Sequence, residues 1–313
     1  MKTELLYINI NYTTFSGKTT EIPLSYELFG RPLFSAPIVL VNHALTGNST
    51  VAGKNGWWKS IIGDNSVIDL NRFTVLCFNI PGNGYDQFFI DEYTNFTTKD
   101  IAKLYILGLE QLNIKKVDYL IGGSIGGSIG WEMLAIDKDL AQTFIPIATD
   151  YKTHDWLHAQ CLVQKFLLES EVQPLEKARI HAMLCYRTPE SINKRFQNQY
   201  NTTKQRLESE DWLLHHGNSL NERFSLKSYL LVNHLLTTIK VDQNILPHIL
   251  ANIHMIGVDT DLFFPCFEIT KTFENLKPNK DNIYYHEIKS IHGHDAFLME
   301  YEQLNTILKK IIE

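Results

Sequence analysis

Cysteine is scarce in this chain of 313 residues, and its four cysteines are isolated from one another. They form no C-x-x-C pair and no regular spacing, and they are Cys77, Cys161, Cys185 and Cys266. Disulfide frameworks and zinc sites built from cysteine need such pairs, so the sequence predicts neither. Isolated thiols are typical of a reducing cytoplasm, and we expect these residues to be small members of the core.

Long apolar runs and a dominant charge are also missing. No uninterrupted apolar segment approaches about 18 residues, the length typical of a membrane-spanning helix. The stretch MKTELLYINI includes Glu4 and lacks the apolar core and cleavage site of a signal peptide. The formal net charge is -6 and no dense Lys/Arg stripe offsets it, so we expect no nucleic-acid partner and no membrane partner. The sequence therefore predicts a folded chain located in the cytoplasm.

Strand-like and helix-like segments alternate, which is typical of a mostly parallel sheet covered by helices. An N-terminal hairpin is expected at residues 4–11 and 21–29. Short β-rich runs follow at 38–41, 73–78, 117–121, 144–148, 253–258 and 283–288. Helical spacing marks residues 97–112, 127–136 and a closing helix with apolar Phe297, Tyr301, Leu304, Leu308 and Ile311.

Residues 151–245 differ in character, since strands disappear and helical stretches such as 156–168 and 227–238 follow one another. We predict that this segment is a helical lid inserted between the sixth and seventh strands. Residues 1–150 and 246–313 then form the α/β core. The apolar stretch from Leu230 to Leu236 is expected to be lid core, with a subunit interface as the alternative.

The pattern G-x-S-x-G occurs twice in the stretch IGGSIGGSIG, centred on Ser124 and Ser128. The run at 117–121 leads directly into Gly122-Gly123-Ser124, and helical spacing follows. A strand, a sharp turn and a helix form the context of a nucleophile elbow. The strand that leads to Ser128 would be glycine-rich and poorly packed, so we predict Ser124 as the nucleophile and Ser128 as a packing residue. The alternative, a phosphate-binding loop, lacks the Lys and Ser/Thr that end a P-loop.

A nucleophilic serine needs a base that is oriented by an acid, and after an elbow of this type the chain order is Ser, then Asp or Glu, then His. Asp259-Thr260-Asp261 follows the strand at 253–258, and His292-Gly293-His294 follows the strand at 283–288. The order matches. Each doublet leaves two candidates that periodicity does not separate.

Backbone N–H groups must also stabilise the oxyanion of an acyl-transfer reaction. We expect one from Ile125, directly after the nucleophile, and another from the loop NHALTG at residues 42–47. His43 lies in this loop and precedes the serine, so a structural role is expected for it. The histidine-rich pairs at 215–216 and 292–294 lack H-E-x-x-H and Cys/His ligand spacing, so no metal site is predicted.

Segments along nearly the whole chain resemble the homoserine O-acetyltransferases, a family of the α/β-hydrolase superfamily. The similar segments are NHALTGNS at 42–49, GWW at 56–58, GGSIGG at 122–127, ARIHAMLCYRT at 178–188, RFSLKSY at 223–229, VDTDLFFP at 258–265 and GHDAFL at 293–298. HALTG and GHDAFL are specific to the family, whereas G-x-S-x-G alone is not. The resemblance implies an α/β-hydrolase fold with an eight-stranded, mostly parallel sheet and an inserted helical lid.

The resemblance also implies a role for particular residues. The family's catalytic acid stands directly before an L-x-x-P segment, which corresponds to Asp261, and its catalytic histidine stands directly before the Asp of GHDAFL, which corresponds to His294. With Ser124 they complete a catalytic triad. The backbone of Leu45 resembles the second oxyanion donor.

Three further residues match the family's acceptor pocket, namely Arg179, Tyr186 and Asp295. Homoserine is a zwitterion, so a guanidinium for its carboxylate and a carboxylate for its ammonium make chemical sense. The alternatives are a surface arginine at position 179 and, at position 295, an aspartate that caps the last helix.

The activity implied by the resemblance is transfer of an acetyl group from acetyl-CoA to the hydroxyl of L-homoserine in methionine biosynthesis, by a ping-pong mechanism. Acetyl-CoA would be a co-substrate, no cofactor would be bound permanently, and a homodimer is expected. The chain departs from longer family members at residues 79–88, NIPGNGYDQF, and in a shorter lid. These departures leave homoserine O-succinyltransferase open. The sequence is also compatible with an esterase or thioesterase that uses the same triad, and with a binding protein that has no activity.

Overall fold

The computed structural model describes residues 4–312. Within this range eight strands form the main sheet: β1 (Leu6–Thr13), β2 (Thr19–Gly30), β3 (Ile38–Asn42), β4 (Thr74–Phe78), β5 (Val117–Gly123), β6 (Ala141–Ile147), β7 (Asn252–Val258) and β8 (Ile283–Ile288). Their order across the sheet is β1-β2-β4-β3-β5-β6-β7-β8. The pairs β1–β2 and β2–β4 are antiparallel, and every other neighbouring pair is parallel. The predicted eight-stranded, mostly parallel sheet is therefore confirmed.

The burial of the strands explains their sequences. All five residues of β3 and of β4 are buried, as expected for central strands covered on both faces. Successive side chains point to opposite faces, so Leu40 packs in one core cluster while Val39 and Val41 pack in the other. The edge strand β1 alternates buried and exposed residues because only one of its faces is covered.

Helices cover the sheet and fill the segment between β6 and β7. They are α1 (Thr98–Gln111), α2 (Ile125–Ile136), α3 (Asp155–Leu168), α4 (Pro174–Tyr186), α5 (Pro189–Phe196), α6 (Glu208–Arg223), α7 (Leu226–Thr237), α8 (Cys266–Leu276) and α9 (Tyr301–Leu308). Local chemistry sets several of their starts. Thr97 and Asp100 form a capping box at α1, and α4 and α5 each begin with a proline.

The segment between β6 and β7 contains α3 to α7, and we interpret it as the lid. A small apolar cluster of its own includes Leu168, Ala178 and Leu220. Most of the apolar stretch in α7 is buried, as expected of lid core. The expectation that strands disappear here is wrong in one detail, because Tyr200–Asn201 pairs with Arg206–Leu207 in a short antiparallel ribbon.

The last helix is shorter than its apolar spacing predicts. Phe297 lies in a preceding 3₁₀ segment, Gly293–Leu298, and is buried against the sheet by that turn. The apolar spacing that predicts one closing helix therefore runs through two elements, the 3₁₀ segment and α9. Because α9 begins only at Tyr301, with Glu300 before it, the alternative that Asp295 caps this helix is wrong.

Candidate active site

Ser124 lies in the sharp turn between β5 and α2, at the carboxyl edge of the sheet. Its backbone has φ 55° and ψ -133°, a conformation that a serine rarely adopts. The backbone N–H of Ser124 donates to the carbonyl oxygen of Ile147 at 2.9 Å, which ties the turn to β6. A strained turn held in this way is the geometry of a nucleophile elbow.

The glycines around Ser124 are required by close backbone contacts. A Cβ atom on Gly122 would lie 2.4 Å from the carbonyl carbon of Gly126. On Gly126 it would lie 2.2 Å from the carbonyl oxygen of Asn42, which belongs to β3. Both contacts are with backbone, which cannot move aside cheaply. The pattern G-x-S-x-G at this position therefore reflects packing of the turn against its neighbours.

Ser128 lies one helical turn further on and takes no part in this geometry. Its Oγ atom lies 2.7 Å from Oγ1 of Thr149 and donates to the carbonyl oxygen of Asp150 at 2.9 Å. The side chain is fully buried between α2 and the end of β6. These contacts agree with the packing role expected for it.

His294 connects Ser124 to a carboxylate. Its Nε2 atom lies 2.9 Å from Oγ of Ser124, and its Nδ1 atom lies 2.7 Å from Oδ2 of Asp261. All three side chains are buried. The chain of two hydrogen bonds places a base beside the hydroxyl and an acid behind the base, which is the arrangement that nucleophilic catalysis by serine requires.

Asp261 is held firmly by its own loop. Its Oδ1 atom accepts hydrogen bonds from the backbone N–H groups of Phe263 and Phe264, at 2.7 and 2.9 Å. The other aspartate of the doublet, Asp259, instead accepts from the backbone N–H of Ser290. The structure thus places Asp261 against the imidazole of His294, whereas the carboxylate of Asp259 bonds to the loop after β8.

The two histidines of the second doublet also have different partners. The ring of His292 lies against the lid, where its Nδ1 atom is 2.8 Å from Oγ of Ser191 in α5. Of the two rings, only that of His294 points to Ser124 and Asp261. Gly293 between them has φ +67°, which turns the chain sharply enough to direct the two rings to different neighbours.

Aromatic rings enclose the imidazole of His294. Ring centroids lie 5.0 Å away for Phe263, 5.6 Å for Phe297, 5.7 Å for Tyr186 and 5.8 Å for Phe264. Such an apolar shell excludes water and strengthens the electrostatic interactions inside it. Tyr186 comes from the lid, so the lid forms part of this enclosure.

The expected oxyanion donors belong to the helix start directly after Ser124 and to the loop after β3. Ile125 is the first residue of α2, where a backbone N–H has no acceptor within the helix. Leu45 is buried in the loop after β3. His43 supports this loop, because its Nδ1 atom bonds to the carbonyl oxygen of Ala44 at 2.8 Å and its Nε2 atom accepts from the N–H of Ile80 at 3.0 Å. Burial lowers the pKa of His43 to about 4, so its ring is neutral and structural.

Arg179 and Tyr186 both lie on α4, on the lid side of the triad. The guanidinium carbon of Arg179 is 5.7 Å from the centroid of the Tyr186 ring. Within residues 4–312 no carboxylate lies within 4.0 Å of this guanidinium. Burial raises the pKa of the Tyr186 hydroxyl well above its ordinary value, so it stays protonated. A half-buried cation without a carboxylate partner can bind an anionic group of a ligand.

Asp295 has a partner that sequence reasoning missed. Its Oδ2 atom accepts a hydrogen bond from Nε of Arg187 at 2.9 Å. Arg223 was missed as well, and its Nη1 atom donates to the carbonyl oxygen of Thr46, beside Leu45. Both arginines lie inside segments that resemble the family. Nothing in the local pattern links them to partners 108 and 177 residues away.

Two features are absent from the part of the chain that the structure describes. No group of three or more His, Cys, Asp or Glu side chains is arranged to bind a metal ion. No helix combines the length and apolar character needed to cross a bilayer.

Comparison with known proteins agrees with the geometry. A family model described as "alpha/beta hydrolase fold" matches residues 37–173. Homoserine O-acetyltransferase of Cyclobacterium marinum is 29% identical to this chain, over 99% of it and 95% of the relative. The enzyme of the same name from Methanococcus vannielii is 28% identical, over 95% of this chain and 70% of the relative.

Solved structures support the fold. Homoserine O-acetyltransferase from Staphylococcus aureus superposes with a TM-score of 0.84 at 24% identity, covering 100% of this chain and 96% of that chain. Esterase E22 superposes with a TM-score of 0.87 at 18% identity, covering 99% of this chain and 100% of that chain. This chain therefore has the α/β-hydrolase fold, and the predicted resemblance to homoserine O-acetyltransferases is confirmed over nearly its whole length.

Proposed function

We propose that this chain is an acyltransferase that moves an acetyl group from acetyl-CoA to the side-chain hydroxyl of L-homoserine. The observation that carries the proposal is the hydrogen-bonded series from Ser124 through His294 to Asp261 at the nucleophile elbow. The sequence similarity to homoserine O-acetyltransferases, which extends through the lid, supports the choice of acceptor. Methionine biosynthesis in the cytoplasm is the setting that fits this activity.

In the first half-reaction Ser124 is the nucleophile. Its Oγ atom attacks the thioester carbonyl of acetyl-CoA while Nε2 of His294 takes the hydroxyl proton. Asp261 holds the imidazole by Nδ1 and stabilises the imidazolium that forms. The backbone N–H groups of Leu45 and Ile125 stabilise the oxyanion. When the tetrahedral intermediate collapses, the proton passes to the sulfur, coenzyme A leaves as a thiol, and an acetyl-serine remains.

In the second half-reaction the acceptor takes the place of coenzyme A. The hydroxyl of L-homoserine gives its proton to Nε2 of His294 and attacks the acetyl carbonyl. The same oxyanion donors act again. Collapse releases O-acetyl-L-homoserine, and the Oγ atom of Ser124 recovers its proton from the imidazolium, so the enzyme returns to its starting state.

The acceptor pocket is proposed to lie between the lid and the triad. Arg179 would bind the carboxylate of homoserine, and Asp295 would bind its ammonium group. The ring of Tyr186 lies 5.7 Å from the guanidinium carbon of Arg179 and 5.7 Å from the imidazole of His294, and its hydroxyl stays protonated, so it can donate a hydrogen bond. Among the described residues the guanidinium of Arg179 has no carboxylate partner, and this and its distance from Tyr186 support these assignments.

Hydrolysis is the second candidate, because the same fold is found in esterase E22. The difference lies in how the acceptor is held. A well-oriented hydroxyl has an effective molarity on the order of 10⁵ M or more and outcompetes water, whereas a loosely held one does not. The aromatic shell around His294, which Tyr186 of the lid completes, favours transfer because it limits the access of water.

One assay distinguishes these candidates and the acyl donor. Release of coenzyme A is followed with acetyl-CoA or succinyl-CoA, each with and without L-homoserine, and the protein is weighed by mass spectrometry after exposure to the donor alone. We expect an acetyl-sized mass increase on Ser124 and release that depends on L-homoserine. Release of coenzyme A at the same rate with and without L-homoserine would identify a hydrolase. A succinyl-sized mass increase with succinyl-CoA would identify succinyl-CoA as the donor, and the proposed mechanism would stay the same.

The protein is proposed to be a homodimer that associates through the lid. Exposed apolar side chains on one part of α3, those of Leu162, Val163 and Phe166, support this. Light scattering of the purified protein tests it. The wild type should have twice the mass of the chain, and a Phe166→Lys variant should shift toward the monomer.

A further inference from the structure

The lid contacts the loop that carries His294 through the end of α4, the start of α5 and the two residues between them. Oγ1 of Thr188 bonds to the carbonyl oxygen of Ile291, and Oγ of Ser191 bonds to the ring of His292. The two backbones also approach closely, since a Cβ atom on Gly293 would lie 2.8 Å from the carbonyl oxygen of Tyr186. This loop and this lid segment therefore form one packed unit directly before His294.

Arg187 extends the contact to the residue that follows His294. Its Nε atom lies 2.9 Å from Oδ2 of Asp295, and the two side chains are only 12% and 19% exposed. An ion pair shielded to this degree, with one strong charge-assisted hydrogen bond, restrains the carboxylate more than a surface pair would. Within residues 4–312 the second oxygen of Asp295, Oδ1, accepts no hydrogen bond. That oxygen is available to a ligand.

Arg187 is itself held in place by the lid. Its guanidinium carbon lies 5.9 Å from the ring centroid of Trp212 in α6. The same ring also lies beside Arg195 of α5, at 5.4 Å. Arg187 thus joins the aromatic surface of the lid to a carboxylate beside the triad, whereas Arg195 lies over the rings of Phe196 and Trp212 and pairs with no carboxylate within residues 4–312.

We propose that Arg187 is a positioning residue for the acceptor: it fixes Asp295 by one oxygen so that the other faces the ammonium group of the incoming amino alcohol. The inference rests on the proposed function and adds to it a residue that touches neither the triad nor the acyl donor. Its effect belongs to the second half-reaction, in which the acceptor must be bound and oriented beside the acyl-enzyme. It also makes the enzyme select acceptors that carry an amino group.

The experiment uses the full-length enzyme and the variants Arg187→Met and Arg187→Lys. Acyl-enzyme formation with acetyl-CoA alone should stay within about threefold of the wild type, because the triad does not depend on Arg187. The KM for L-homoserine should rise about tenfold or more in Arg187→Met, with a smaller change in kcat. Arg187→Lys should recover part of the loss. Preference for L-homoserine over 4-hydroxybutanoate, which lacks the amino group, should fall by a similar factor.

A double-mutant cycle tests whether Arg187 acts through Asp295. The double variant Arg187→Met with Asp295→Asn should be no worse for L-homoserine than Asp295→Asn alone, since the partner has already been changed. Arg195→Met is the matched control, because it removes an arginine from the same Trp212 ring, and its KM should remain within about twofold of the wild type.

Three results would overturn the proposal. They are an unchanged KM in Arg187→Met, losses that simply add in the double variant, and a loss of acyl-enzyme formation as large as the loss of transfer. Assays of the wild type distinguish a failure of the Arg187 proposal from a failure of the proposed function. If the wild type forms acyl-enzyme but never transfers the acetyl group to L-homoserine, the proposed function is wrong, and the proposed role of Arg187 is then wrong as well.

Discussion

The Nε2 atom of His294 lies 2.9 Å from the Oγ atom of Ser124, although 170 positions separate the two residues in the chain. Ser124 is carried by the turn after β5, and His294 by the loop after β8. The strands β6 and β7 stand between β5 and β8 in the sheet, so the contact exists only when this part of the sheet is complete. Acyl transfer should therefore be lost together with the native fold.

The two serines of the glycine-rich stretch should behave differently. Ser124→Ala removes the proposed nucleophile, so no acyl-enzyme should form and release of coenzyme A should fall to background. Ser128→Ala removes only hydrogen bonds to Thr149 and Asp150, so it should cost about 1 kcal/mol of stability and leave acylation intact. Intact-protein mass spectrometry and urea unfolding measure the two effects. The reverse pattern would assign the chemistry to Ser128.

The two aspartates after β7 provide a second matched pair. Asp261→Asn should lower kcat on the order of 10⁴-fold, because an amide cannot stabilise the imidazolium and favours the wrong tautomer. Asp259→Asn should leave kcat within about tenfold, since among the described residues the carboxylate of Asp259 bonds to the backbone N–H of Ser290 and pairs weakly with Lys289, not with the imidazole. Steady-state kinetics with saturating L-homoserine measures both. Equal losses would contradict the assignment of Asp261.

Arg179 should matter for the acceptor and not for the donor. In Arg179→Met the carboxylate of homoserine would lose the charged partner proposed for it, so the KM for L-homoserine should rise about tenfold or more. The rate of acyl-enzyme formation should not change. Arg206→Met, in the short antiparallel ribbon of the lid, is the control and should resemble the wild type. If acylation fell and the KM did not rise, Arg179 would belong to the donor site.

The stability of the protein should fall as the pH is lowered from 6.5 toward 4, in part because of His43. Burial holds its pKa at about 4 in the folded chain, against 6.5 when unfolded, so over this range only the unfolded state takes up the proton. This group should cost about 2 kcal/mol at pH 5 relative to pH 7. A His43→Gln variant cannot titrate there, and its loss of stability between pH 7 and pH 5 should be smaller by that amount in urea unfolding. Equal slopes would exclude His43 as a contributor.

Local patterns were sufficient for the sheet and for the place of the turn that carries Ser124. Central strands such as β3 and β4 are continuous apolar runs, which predict buried parallel strands before any contact is known. The spacing of the turn's glycines is readable in the sequence, although the reason for Gly126 is a contact with Asn42 of β3 that only the fold creates. Apolar periodicity gave a wrong helix start where it continued across two elements: it placed Phe297 in the last helix, but that helix begins at Tyr301.

The sequence by itself determined which residue types lie at the strand ends: a serine, an aspartate doublet and a histidine doublet, in chain order. Periodicity left both doublets open and the family resemblance implied Asp261 and His294, but only the tertiary structure gives the physical reason, because the direction of each side chain depends on how the loops after β7 and β8 turn against each other. Asp261 is aimed by the N–H groups of Phe263 and Phe264, and His294 by the turn at Gly293. The pairing of Arg187 with Asp295 joins the lid to the core across 108 residues, and contacts of that range are set by topology, which no local pattern records.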